Sequence, residues 1–431
     1  MKLHHTIALL PLLLVGLAAC KKESSTTATT SSVTTLTRFY LSNDSVLANL
    51  KNITFTIDND KNIIYNTDSL PYLCKTDSLI PTMYGSTLSS ITINDTITYS
   101  GNDTIDFTNP VTVTTTATDG TSTRTYIVTV NVHQIDPDVY NWTGIKSEIF
   151  GDLAATAQKT LVCNGILNHF VATSEAITAF TSPDGTTWTR HSVSGLPDGT
   201  NVDGIVTNGD KFYAAANGKL YTADTPDTWT ESSTADNIDR LVFTMNGKLY
   251  AFGKADGKRT MFEHDTAWHN LGTLPDKFPS SDFAVCVDAE PSGKNRAYIV
   301  GGQTADGIIL GTVWSSENGS YWANLAASKE WFAPRYGAAI VQYADGLMLI
   351  GGADENGICS DSQWYSPDYG LTWKTPDEKA LLPDLWVPRY GLSMVIDSER
   401  YVYIVGGKTD SNVLSDVWKG RKNSEMPEFK Q

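Results

Sequence analysis

Two stretches of the chain carry side chains suited to recognition: Trp331-Phe332-Ala333-Pro334-Arg335-Tyr336 and Leu385-Trp386-Val387-Pro388-Arg389-Tyr390. Each sets an indole, a guanidinium and a phenol within a short span. An indole face stacks on a sugar ring, and a planar guanidinium fork pairs with a carboxylate through two hydrogen bonds. On that reading Trp331, Arg335, Tyr336, Trp386, Arg389 and Tyr390 contact ligand. Because the Pro-Arg-Tyr-Gly step recurs, the same residues also read as the packing template of a repeat. The step is intact only in these two places, and the corresponding segments, Asn201-Val202-Asp203 and Asn237-Ile238-Asp239, are acidic. The binding reading expects the two arginines and two tyrosines to share one cavity.

No catalytic set, metal site or cofactor motif stands out. Of His133, His169, His191, His264 and His269, only the last two are close in sequence. A copper propeller of the galactose-oxidase kind would need His and Tyr ligands with a Tyr–Cys crosslink. Asp58-Asn59-Asp60-Lys61-Asn62 alternates oxygen donors as a calcium loop does. It lacks the glycine at the sixth position, and Ser69 stands where the closing glutamate belongs, so a hairpin turn is expected. Cys74, Cys163, Cys286 and Cys359 are widely spaced with no C-x-x-C pair, which predicts buried free thiols.

The elements that would hold these residues repeat. Trp142, Trp188, Trp229, Trp268, Trp322 and Trp373 recur at intervals of roughly 40 to 54 residues, the length of a four-stranded propeller blade. Ser182-Pro183-Asp184-Gly185-Thr186-Thr187-Trp188, Ser315-Ser316-Glu317-Asn318-Gly319-Ser320-Tyr321-Trp322 and Ser366-Pro367-Asp368-Tyr369-Gly370-Leu371-Thr372-Trp373 resemble the Asp box of sialidase-type repeats. That resemblance implies a tight hairpin with its tryptophan packed between blades. It does not imply sialidase activity, which needs three arginines, a Tyr–Glu nucleophile pair and a general acid, and no R-I-P-like triplet of the sialidase opening is present. Tyr298-Ile299-Val300-Gly301-Gly302, Leu347-Met348-Leu349-Ile350-Gly351-Gly352 and Tyr403-Ile404-Val405-Gly406-Gly407 resemble kelch strands, as Pro334-Arg335-Tyr336-Gly337 and Pro388-Arg389-Tyr390-Gly391 resemble the kelch opening of the innermost strand. Six blades are expected. The last lacks a fourth strand, and the segment from Asp136 to Trp142 has the length and register to supply it; otherwise a long edge would stay exposed.

Ahead of the propeller, 36–134 alternates in short Thr-rich runs, such as Tyr126-Ile127-Val128-Thr129-Val130, broken by Asp58-Asn59-Asp60 and Asp119-Gly120. This period of two predicts antiparallel strands in a sandwich, which resembles the Ig-like or cadherin-like modules that act as spacers in bacterial surface proteins. At the N-terminus, a short polar start precedes the apolar run Ile7–Ala19, too short to cross a bilayer and laid out as a secretory signal. It ends in Leu17-Ala18-Ala19-Cys20, which resembles a bacterial lipobox and implies lipidation of Cys20. Lys21 stands where an Asp would resemble the inner-membrane retention signal, so the outer membrane, with exposure at the cell surface, is expected. The Ser/Thr-rich remainder of 20–35 reads as a stalk.

With 48 acidic and 32 basic residues, the net charge of −16 argues against nucleic acid and anionic lipid as partners. The sequence thus predicts an all-β chain: signal 1–19, lipidated stalk 20–35, Ig-like β-sandwich 36–134, and a six-bladed kelch/sialidase-like β-propeller 135–431. The whole resembles Bacteroidota surface lipoproteins that join an Ig-like domain to a kelch-like propeller. The expected function is non-enzymatic binding of a glycan or protein ligand, with membrane contact through the lipid alone. The alternative is a polysaccharide-acting hydrolase or lyase built on the same propeller.

Overall fold

A computed structural model describes residues 30–151, 153–289 and 294–427. The signal segment, Cys20 and the stalk up to residue 29 lie outside the described residues. The chain divides into two compact units after Gln134.

In the first unit, β1 (Arg38–Ser42) pairs with β4 (Ile80–Tyr84) as a two-stranded sheet. The other strands are β2 (Phe55–Asp58), β3 (Ile63–Asn66), β5 (Leu88–Ile93), β6 (Ile97–Thr98), β7 (Val111–Ala117) and β8 (Thr123–Thr129). They form a six-stranded sheet in the order β2-β3-β8-β7-β5-β6. Alternation does the work the sequence implied. Val111, Val113 and Val128 bury their side chains with Ile64 against Phe39, Leu41 and Met83 of the smaller sheet. The threonines between them point outward, and Thr114 and Thr125 pair across strands at 3.0 Å. Tyr126 is fully buried, but its hydroxyl accepts from the Leu36 amide at 3.0 Å and donates to Asn59 at 2.6 Å. The segment Asp58–Asn62 is a hairpin turn, the Asp58 carboxylate accepting from the amides of Asp60 and Lys61. One expectation fails here. The sheet is not wholly antiparallel, since β8 runs parallel to β3, Ile63 opposite Ile127. Side chains alternate with period two in either strand direction, so the pattern carries no information on direction.

The second unit is a propeller of six sheets: 157–192, 206–234, 238–273, 284–324, 336–366, and 393–422, the last completed by β9 (Tyr140–Lys146). Each inner strand packs beside the next, and Ser393–Ile396 of blade six packs beside Ala157–Cys163 of blade one, so the ring is closed. Closure follows the expected route. β9 adds antiparallel to Val413–Lys422, with Trp142 opposite Gly420, and so covers the edge of blade six. Gln158 and Thr160 of blade one also reach across: the Gln158 amide donates to the carbonyls of Gly407 and Leu414, and the Thr160 amide to Ser393 Oγ. Blade five is less regular than the repeat suggests. It has three strands, and its outer edge is met only by the pair Tyr365 and Lys374.

The hairpins before the tryptophans share one bonding scheme. Ser182 Oγ accepts from the Gly185 amide at 2.8 Å, Asp184 accepts from Thr186, and Trp188 Nε1 donates back to the Gly185 carbonyl at 2.9 Å. Blade four repeats it with Ser316, Asn318, Gly319 and Trp322, and blade five with Ser366, Asp368, Gly370 and Trp373. Each glycine lies against the preceding blade: a Cβ at Gly319 would come within 2.5 Å of Tyr250, and one at Gly185 within 2.9 Å of Tyr403. Trp322 contacts Phe243 and Phe278 of blade three and its connection to blade four. Trp229 donates to the Pro226 carbonyl and Trp268 to Thr234 of blade two.

Candidate functional site

The two Pro-Arg steps lie at the entry of the inner strands of blades five and six, but their guanidinium groups turn into the blades. Arg335 is 5% exposed and donates to the carbonyls of Ala333 and Gly351 and to Ser362 Oγ. Arg389 is 1% exposed and donates to Val387 and Gly406 carbonyls and, through both Nη atoms, to the Asp416 carboxylate at 2.5 and 3.1 Å. The double glycines explain why. Gly351 and Gly352 have φ of 71° and 94°, and a Cβ at Gly351 would sit 2.6 Å from the Arg389 carbonyl. Only glycine allows this approach, which lets the Gly352 amide donate to the Arg389 carbonyl, while the arginine of each blade satisfies the turned-out carbonyl of its own glycine pair. The arginine is therefore a bracket between neighbouring blades.

The expectation of a shared cavity is corrected accordingly. None of Trp331, Arg335, Tyr336, Trp386, Arg389 and Tyr390 lines either of the two cavities described below. Trp386 is 6% exposed and sits in the core between blades five and six, with Arg389 5.2 Å from its ring. Trp331 is half-buried, and the Lys329 ammonium lies 3.7 Å over its ring. Tyr336 and Tyr390 do meet, edge to face at 5.3 Å, and both are half-buried.

The axial cavity is instead lined by the inner strands of all six blades and has a volume of about 330 Å³. Its charged lining residues are Lys159, Asp203, Arg240 and Asp282, and all four fall at the end where the inner strands begin. Farther along come Leu161, Val242, Val287, Ile340 and Val395, so a charged mouth leads to an apolar throat. The mouth narrows on one side. The Gly337 amide donates to the Asp282 carbonyl at 2.6 Å and the Gly391 amide to the Gly337 carbonyl at 2.7 Å, linking blades four, five and six. A Cβ at Gly337 would lie 2.8 Å from the Gly391 nitrogen, which accounts for the glycine there, while Gly391 is called for by its φ of 64°.

Across the mouth, Lys159 Nζ donates to the Asp203 carbonyl at 2.6 Å. Burial pulls the Lys159 ammonium down to about 8, opposed by Asp203 and reinforced by the charge of Arg240. Arg240 stacks on Phe283 at 4.8 Å and donates to the Ser280 carbonyl at 3.0 Å. Burial lowers its affinity for the proton, against Asp203, Asp282 and Asp239. Arg240 and Arg259 both lie near the Phe252 ring, 5.8 and 5.5 Å from its centroid. Lys159 and Arg240 make no ion pair among the described residues, and Asp203, Asp239 and Asp282 are exposed. Sequence reasoning marked Asp203 and Asp239 as breaks in the repeat but passed over the adjacent cations. A charge inside an otherwise apolar inner strand, as in Ile238-Asp239-Arg240-Leu241-Val242-Phe243, was the available signal.

Comparison with known families adds a firm assignment. Residues 136–426 match the DUF6242 beta propeller domain, and residues 23–130 match the domain of unknown function (DUF6242) N-terminal domain. The chain belongs to the DUF6242 family. Among solved structures, this DUF6242 chain is similar to that of YjhT at 13% identity and a TM-score of 0.46, over 64% of this chain and 94% of that one. Comparison with curated proteins gave no match.

A second cavity of about 230 Å³ opens at the outer edge between blades five and six, beside Tyr140, Trp364, Tyr365, Lys374 and Lys422. Among the described residues no cluster of His, Cys, Asp and Glu is arranged to hold a metal ion. Cys286 lines the axial cavity, where burial raises its thiol, and the four described cysteines are free.

Proposed function

We propose that this chain is an outer-membrane lipoprotein, anchored through Cys20, whose kelch-like propeller binds a glycan or protein ligand without transforming it. The Ig-like sandwich serves as a spacer. The carrying observation is the axial cavity with its mouth of Lys159, Asp203, Arg240 and Asp282. At about 330 Å³ it falls at the small end of the range for ligand sites, suited to one end group of a larger molecule. The lipobox-like Leu17-Ala18-Ala19-Cys20 supports the anchor. The deciding experiment is a glycan array probed with the full chain and with Arg240→Gln. Binding that the variant loses supports the reading; binding that survives the change places the ligand elsewhere.

The hydrolase or lyase reading has one observation in its favour: Asp203 and Asp282 line the same mouth, and sugar hydrolysis runs on paired carboxylates. New reducing ends from an array-identified polysaccharide, abolished in Asp203→Asn or Asp282→Asn, would establish it.

A further inference from the structure

Two cations held side by side in one cavity mouth call for an explanation. Blade two enters the ring through the short turn Val202–Gly204, and Gly204 lies between them: Lys159 caps the Asp203 carbonyl, while a Cβ at Gly204 would meet Arg240 Cβ at 3.3 Å. Both are partly withdrawn from solvent, and the charge of Arg240 adds to the cost of carrying charge on Lys159. Structural arginines of the blades spend their donors, Arg389 on Asp416 and two carbonyls and Arg335 on two carbonyls and Ser362 Oγ. Lys159 has one hydrogen bond for three donors, and Arg240 has one for five. The guanidinium is nonetheless fixed in direction by Phe283 and Phe252. Unspent donors on a fixed fork beside a second cation form a receptor for an oxyanion.

The carboxylates narrow the class. Asp203 and Asp282 share the mouth, and Asp282 is steadied by Gln303 Nε2 at 3.2 Å. They oppose a bare or multiply charged anion, as does the net charge of −16. They favour a ligand that brings hydroxyl donors together with its single negative charge, since a carboxylate accepts sugar hydroxyls readily. We propose that the axial mouth binds the terminal residue of an acidic saccharide, its carboxylate held by Lys159 and Arg240 and its ring hydroxyls by Asp203 and Asp282. The cavity volume suits one ring, and the apolar throat beneath it limits entry to the end of the chain. This rests on the reading of the mouth as the ligand site and adds the chemistry of what enters it.

The test titrates the full chain with sodium D-glucuronate, D-glucose, glycine and a short peptide bearing a free C-terminal carboxylate, followed by calorimetry or ligand-observed magnetic resonance. Glucuronate is expected to bind at least tenfold more tightly than the other three. Arg240→Gln and Lys159→Gln are each expected to weaken glucuronate at least tenfold, Lys159→Arg to retain most of the affinity, and all three to melt within a few degrees of wild type. If glucose binds as well as glucuronate and Arg240→Gln weakens both, the mouth is a neutral-sugar site and the acidic-saccharide assignment falls alone. Preference for glycine makes the ligand a zwitterion, and preference for the peptide makes it a protein end; either result overturns the assignment. Absence of glucuronate binding, or glucuronate binding that the variants leave unchanged, also overturns it. Array binding that persists in Arg240→Gln removes the mouth as the ligand site altogether.

Discussion

Arg335 and Arg389 occupy the same place in successive blades with different partners, and the difference is a natural experiment in buried charge. Asp416 neutralises Arg389, whereas Ser362 stands at the matching position beside Arg335, two residues before Trp364 as Asp416 is before Trp418. Burial without a carboxylate pulls the Arg335 guanidinium down to about 10. Ser362→Asp is therefore expected to raise the melting temperature, and Asp416→Ser to cost about 3–5 kcal/mol by leaving a buried charge unpaired, both read from urea or thermal unfolding. A Ser362→Asp variant that melts below wild type would show that blade five has no room for the pair. His169 offers a pH signature. It is fully buried between Phe150 and Trp188, bonded only through Nδ1 to Thr160 at 2.9 Å, and burial pushes it down to about 3. The unfolded chain takes up a proton near pH 6.5 and the folded one does not, so this contribution is complete above 6.5 and is lost as pH falls from there towards 3. The slope is up to ~1.4 kcal/mol per pH unit. Unfolding midpoints at pH 7 and 5 should fall less in His169→Gln than in wild type; parallel losses would assign the slope to carboxylates instead.

Among the elements, the closing strand was legible because an exposed strand edge is costly whatever the side chains, and the segment around Trp142 was the available piece of the right length. Its fit depends on Gly420, where a Cβ would lie 2.2 Å from the Trp142 ring. Gly420→Ala should therefore destabilise the propeller by about 1–3 kcal/mol through overpacking. A chain beginning at Thr156 should be poorly soluble beside one beginning at Ile135, and equal solubility and melting would count against closure by β9. The role of the arginines was harder to read. Pro334-Arg335-Tyr336-Gly337 has the same letters whether its guanidinium points to the axis or into the blade. What decides is the glycine pair of the same blade, whose carbonyl, turned out by a positive φ, needs a donor. The direction of β8 and the shortened edge of blade five were likewise invisible, since alternation is blind to direction and a lost outer strand leaves the inner pattern intact.

Across the whole molecule, the axial mouth is assembled from Lys159 in blade one, Asp203 before blade two, Arg240 in blade three and Asp282 before blade four. No local motif joins residues so far apart, and the ring closure that unites them is a property of the complete propeller. The same scale governs attachment to the cell. No described helix is long and apolar enough to cross a membrane, and the net charge of −16 disfavours adhesion to anionic lipid. On the proposed anchoring, retention then rests on the acyl chains at Cys20, each buried methylene contributing about 0.8 kcal/mol, so that two or three chains hold far longer than one. Cys20→Ser should move the protein from the membrane pellet to the soluble fraction of detergent-free lysates, while leaving the urea midpoint of the propeller and its response to Arg240→Gln unchanged. Pelleting of Cys20→Ser with membranes to the same extent as wild type would mean that another surface, and not the lipid, holds the protein there.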